Sequence, residues 1–175
     1  MTSPDHLPQS RTPFRLPYPK GFLRLIMRFP ILLYRLHLGW LLGKRFLLLE
    51  HRGRRSGKLK HAVIEVVDHN ANDGSYVVAA AWGVQSDWFK NILTTPGVHV
   101  TVSTNRFPAT AERIPEHEAA RHLHAYSVRH PFAFTQLGSL LIGQSTRDTD
   151  EVVQAFAASI PFVKFSPIRT DVQDQ

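Results

Sequence analysis

At 175 residues, 43% of them hydrophobic, the chain has room for one domain and enough apolar matter to close a core, but little room for two. A formal charge of +7 favours acidic partners: nucleic acid, anionic lipid or a polyanionic small molecule. The lack of cysteine excludes disulfides and thiolate metal sites and fits a reducing, cytoplasmic compartment.

Residues 1–20 are polar and carry Pro4, Pro8, Pro13, Pro17 and Pro19, a composition that predicts a disordered or extended arm. Residues 21–170 are read as a single folded domain. It begins with a stretch rich in Leu, Ile and Phe, residues 21–43, broken by Arg24, Arg28 and Arg35. At 100° per residue these arginines fall within roughly 40° of one another, a basic stripe on an apolar helix that Pro30 kinks or splits. A membrane span needs about 20 apolar residues without charges, and none occurs here. The greasy face of residues 21–43 is expected either to pack on its own domain or a second copy of the chain, or to lie peripherally on an anionic membrane at its inner face.

Strands follow. Residues 46–50 and 62–67 are apolar runs joined by His51-Arg52-Gly53-Arg54-Arg55-Ser56-Gly57-Lys58 and Lys60. Glycines admit unusual backbone angles, and Arg, Ser and Lys supply donors, so this turn suits phosphate or carboxylate; a solvated basic hairpin is the alternative. Asn72-Asp73-Gly74-Ser75 marks a hairpin into a strand at 76–81. Ser86-Asp87 reads as the cap of a short helix at 88–93, closed by Thr95-Pro96-Gly97. Val98, Val100 and Val102 alternate with polar residues as a half-buried strand, and residues 106–114 form its partner. Helices are predicted from Pro115 to about residue 130, over 132–142 and over 148–159, before a last strand at 162–165. Five or six antiparallel strands with an inserted helix and helices outside point to a small α+β, mainly β, barrel.

Other chemistries lack their signatures. His117 and His122 are five apart, about 140° on a helix, and His122 and His124 about 200°, so no metal site is expected. No nucleophile elbow, phosphate loop or dinucleotide fingerprint occurs. The basic residues do not interleave with aromatics along a strand, which argues against nucleic acid.

The order of apolar strand, Gly53-Arg54-Arg55-Ser56-Gly57 turn, second strand, small strand end at Ala80-Ala81, Asp87-Trp88-Phe89-Lys90-Asn91, Pro96-Gly97 and alternating Val strand resembles the deazaflavin-dependent nitroreductase family. The resemblance spans roughly residues 46–104, with a weaker echo at Pro161-Phe162-Val163. It implies a split β-barrel that uses coenzyme F420, with FMN or another flavin as the alternative ligand. It further implies hydride delivery to a small, hydrophobic, electron-poor acceptor such as a quinone, enone or nitroarene. Arg54, Arg55, Ser56, Lys58 and Lys60 match the turn that holds the anionic cofactor tail. Ala80 and Ala81 match positions where backbone amides reach the ligand, and Trp88 and Asn91 the helix beside it. Many members carry Ser-Lys where this chain has Ala81-Trp82, and Thr-Thr where it has His51-Arg52. Arg52 is the candidate replacement for the lost cation, and Trp82 adds a ring at the expected site. Tyr126 and His130 are the candidate proton donors, and Phe132, Phe134 and Leu137 the candidate acceptor lining. The competing reading is a non-catalytic split-barrel binder of a flavin-like cofactor or lipid.

Overall fold

The computed structural model describes residue 34 and residues 39–132, 134–135 and 149–168. The proline-rich arm, the Arg24, Arg28 and Arg35 stripe and Leu137 lie outside the described residues. Among those described, no helix is long and apolar enough to cross a membrane.

Six strands, β1 (Phe46–Arg52), β2 (Leu59–His69), β3 (Tyr76–Ala79), β4 (Gly97–Val102), β5 (Asn105–Ile114) and β6 (Phe162–Pro167), close into one antiparallel barrel. The order around it is β1-β2-β3-β6-β5-β4, with β4 returning to pair with β1. Closure leaves no free edge to template aggregation. Period-two alternation assigns the faces: Val98, Val100 and Val102 of β4 are buried while the residues between them are not. Leu47, Leu49, Ile64, Val66, Val163 and Phe165 fill the interior.

Helix α1 (Asp87–Thr94) is amphipathic and stops the barrel at one end, sending Trp88, Phe89 and Ile92 into the interior core. Helices α2 (Glu116–Arg129) and α3 (Thr149–Ser159) cover the outside, where Leu123, Val152, Val153 and Phe156 pack on Val67, Val77, Ile114 and Phe162. His122 Nδ1 and Arg129 Nη2 meet the two oxygens of Asp68 at 2.6 and 2.7 Å and pin α2 to β2.

Strand ends depart from the apolar runs. β1 and β2 extend further because backbone pairing continues through Glu50↔His61, His51↔Lys60 and Arg52↔Leu59, whatever the side chains. β3 is shorter and stops at Ala79: the Ala80 N–H leaves the ladder for the Pro161 carbonyl at 2.9 Å, and Gly83, with φ of +64°, opens a tight turn. Ser86 sits at the start of α1 but its hydroxyl makes no capping bond.

The two faces of α1 predict opposite sensitivities. Phe89, 1% exposed, loses about 3–5 kcal/mol of stability as Phe89→Ala in urea unfolding. Leu93→Ala, at a site 57% exposed, loses less than about 1 kcal/mol.

Candidate functional site

The β1–β2 turn is built by its own backbone. The Gly53 N–H donates to the Lys58 carbonyl at 2.9 Å, and the N–H groups of Ser56 and Gly57 both donate to the Gly53 carbonyl, at 3.1 and 2.7 Å. Gly57 holds φ at +63°, which requires glycine, and a Cβ on Gly53 would stand 2.8 Å from Ser56 Oγ, so that side chain would have to shift. Arg54, Arg55, Ser56, Lys58 and Lys60 are left on the surface. Arg52 does not join them: its Nη1 lies 3.3 Å from the Gly57 carbonyl and serves the turn itself.

Asn91 locks that turn to α1. It is 1% exposed, and its Oδ1 accepts from the Arg54 backbone N–H and from Arg54 Nη1, both at 3.0 Å. Arg54 Nη1 also donates to Asp87 Oδ1 at 3.0 Å, and this pairing holds the Asp87 carboxyl below its usual range. The other end of the Asn91 amide, Nδ2, reaches His51 Nδ1 at 3.1 Å. Both ends of Asn91 are thus engaged within the protein, and Arg54 is largely committed to Asn91 and Asp87. Burial, opposed in part by neighbouring groups, pushes the His51 imidazole down to about pH 4.

Beside this clamp, at the same end of the barrel as α1, lies a cleft of about 270 Å³. Trp82 and Trp88 are its apolar walls, and Trp82 lines the space rather than filling it. Lys60, His61 and Ala62 contribute from β2, and His51 from β1. Ser86 and Asp87 close the side at the start of α1. Ser86, 2% exposed, carries a buried hydroxyl with no hydrogen-bond partner among the described residues.

Of the residues predicted from the sequence, Lys60, Trp82 and Trp88 meet in the cleft, with Arg54, Arg55, Ser56 and Lys58 on the adjoining turn. Ala80 is sealed in the barrel interior with its N–H spent on Pro161, so it offers no amide to a ligand; Ala81 is half-buried in the next turn. Tyr126 and His130 stand apart from the cleft, ring on ring at 4.9 Å on the outer face. The Tyr126 hydroxyl donates to Glu65 Oε1 at 2.8 Å and is pushed up to about 12 by burial and by that carboxylate. Phe134 is buried in the outer core and Phe132 is exposed. His51 and Ser86 belong to the site although the motif does not name them. His51 was foreshadowed by its place in the inward row after Leu47 and Leu49, whereas Ser86 was absorbed by its reading as a helix cap.

A larger cavity, about 500 Å³, opens at the opposite barrel end beside His69, Tyr76, Phe107 and Lys44. Among the described residues, it has no turn of clustered cations beside it. Among the described residues, no group of His, Asp and Glu could hold a metal ion.

Two predictions follow from the clamp. Asn91→Leu strands the Arg54 N–H and costs about 2–3 kcal/mol in urea unfolding, with faster amide exchange in residues 53–58. His51 binds its proton near pH 4 when folded but near 6.5 when unfolded, so the unfolded chain takes the proton first on acidification. Stability from this group is full above about pH 6.5 and is lost as pH falls through about 4. A pH series of unfolding midpoints should therefore decline more gently in His51→Asn than in wild type over that window.

Residues 36–136 match the F420H(2)-dependent quinone reductase family. A Mycobacterium tuberculosis protein named for that activity is 36% identical over 78 residues, which cover 43% of this chain and 63% of the relative's length. The chain therefore spans less than two thirds of that relative. Among solved structures, an F420-H2 dependent reductase superposes with a TM-score of 0.49 at 19% identity, over 71% of this chain and 96% of the other. A pyridoxamine 5'-phosphate oxidase-related, FMN binding protein of Nostoc punctiforme does so with a TM-score of 0.44 at 13% identity, over 85% and 82%. With more than half its length matched, the chain belongs to the F420H(2)-dependent quinone reductase family, whose cofactor is coenzyme F420.

Proposed function

We propose that the chain is an F420H2-dependent oxidoreductase that passes hydride to a small, hydrophobic, electron-poor acceptor, a quinone above all. The observation that carries this reading is the juxtaposition of a cleft walled by Trp82 and Trp88 with the cationic turn at 53–58. The residues fit the cofactor. Two indoles suit the faces of a planar heterocycle, the unpartnered Ser86 hydroxyl offers a hydrogen bond, and Lys60 brings a cation to the rim.

When bound, F420H2 supplies the hydride from its C5; the protein supplies position and electrostatics. Arg55 and Lys58 form no ion pair among the described residues and are left to hold phosphate and carboxylates of the tail. Arg54 shapes the turn, since Asn91 and Asp87 occupy its guanidinium. Leu59 and Val84, each more than half exposed and next in sequence to cleft-lining stretches, offer apolar surface to the acceptor. Solvent provides the proton for the reduced acceptor, because Tyr126 is held by Glu65 away from the cleft.

Mixing the protein with reduced F420 and following its absorbance tests the reading. Reoxidation that requires menadione is expected. Tight binding with no menadione-dependent reoxidation would favour the non-catalytic binder, and no binding at all would remove the cofactor reading. The double change Arg55→Ala and Lys58→Ala should weaken F420 binding about tenfold at low salt and about threefold at high salt, because screening already discounts exposed charges. Equal loss at both salts would contradict an electrostatic grip.

A further inference from the structure

β1 sends Leu47, Leu49 and His51 to one side, and the two leucines are sealed in the barrel core. His51 ends that row at the barrel mouth, 4% exposed, and lines the cleft. Its Nδ1 faces Asn91 Nδ2 at 3.1 Å. The Asn91 amide cannot be turned round, because Oδ1 already accepts from the Arg54 N–H and Nη1, and a flip would set an NH2 against two donors. His51 Nδ1 must therefore accept, which puts the proton of the neutral ring on Nε2. Among the described residues, no side chain hydrogen-bonds to Nε2. The same cleft holds the unpartnered hydroxyl of Ser86.

We infer that His51 is a positioning residue for the ring of the bound cofactor, its Nε2–H donating to a carbonyl oxygen at the edge of the planar heterocycle beside the Ser86 hydroxyl. This rests on the F420 reading and extends it to residues that the motif leaves out. Uncharged donors inside the cleft suit a neutral ring carbonyl, while the anionic tail finds its cations on the turn outside. Protonation would disrupt the arrangement, since an Nδ1–H would oppose the Asn91 NH2. Lys60 and His61 from β2 also disfavour a charge on the ring, a backbone hydrogen bond with Arg52 and the Asp87 carboxylate of α1 favour one, and Arg54 bears on it through Asn91. The relay Arg54–Asn91–His51 thereby joins the tail-binding turn to the ring site.

Two measurements on the intact protein test this. In 15N-resolved NMR of the ligand-free protein at pH 7, His51 is expected as the Nε2–H tautomer; an Nδ1–H tautomer would overturn the inference. Fluorescence titrations with F420, and with a deazaflavin lacking the phosphate and carboxylate tail, form the second arm. His51→Asn keeps an acceptor for Asn91 but has no donor at the ε position, and it should weaken both ligands about tenfold. His51→Gln restores an N–H there and should stay within about threefold of wild type. Affinity of wild type should fall below about pH 5, where His51 begins to bind its proton, and both variants should lack that acid limb. Equal affinity of wild type and His51→Asn overturns the inference and leaves the cofactor reading standing. A loss confined to the tailed cofactor overturns the assignment to the ring, and failure of the wild type to bind F420 overturns both readings.

Discussion

A buried amide must satisfy both of its ends, and at Asn91 that requirement organises the mouth of the barrel. Its oxygen takes the Arg54 backbone N–H and guanidinium, and its nitrogen donates to His51, so one side chain on α1 fixes the β1–β2 turn and the last inward residue of β1. Phe89 and Ile92, on the same helix, anchor it in the barrel interior. Turn, helix and strand end then behave as one rigid rim. Hydrogen bonds of this kind are worth more together than singly, because each fixes the geometry of the next.

The rim divides labour by charge. The exposed turn carries Arg55 and Lys58 in water, where cations cost little and an anionic tail can be met without stripping the protein of solvent. Inside, beside Lys60 and Asp87, stand two indoles, a hydroxyl with no partner among the described residues, and an imidazole that burial keeps uncharged at neutral pH. An anionic appendage outside and a planar, weakly polar ring within are the shape of ligand that such a division selects. Closure of the barrel keeps the wall behind it stiff, with α2 held on the outer face through Asp68.

Much of this was legible in the chain, and for definable reasons. Alternation at Val98, Val100 and Val102 marks a strand whichever neighbour it finds, and the Gly53–Gly57 spacing demands a tight turn wherever it lies. Strand ends were not legible, because pairing through Glu50, His51 and Arg52 is decided by backbone partners on β2. Asn91 could be placed near the site, but its role as a clamp depends on partners 37 and 40 residues away. Helical periodicity does not reveal that Glu65, 61 residues distant, takes the Tyr126 hydroxyl. Ala80 lies toward the end of an apolar run, yet the Pro161 carbonyl that captures its N–H comes from the far side of the sequence.

The central claim is that the cleft between Trp82 and Trp88 and the neighbouring cationic turn together receive the cofactor. A crystal structure of the complex with F420 tests it most directly. The account predicts the deazaflavin between the two indoles, its edge toward His51 and Ser86, with the tail running over Arg55 and Lys58. A ring seated instead in the cavity beside His69, Tyr76 and Phe107, with the indole cleft vacant, would contradict it.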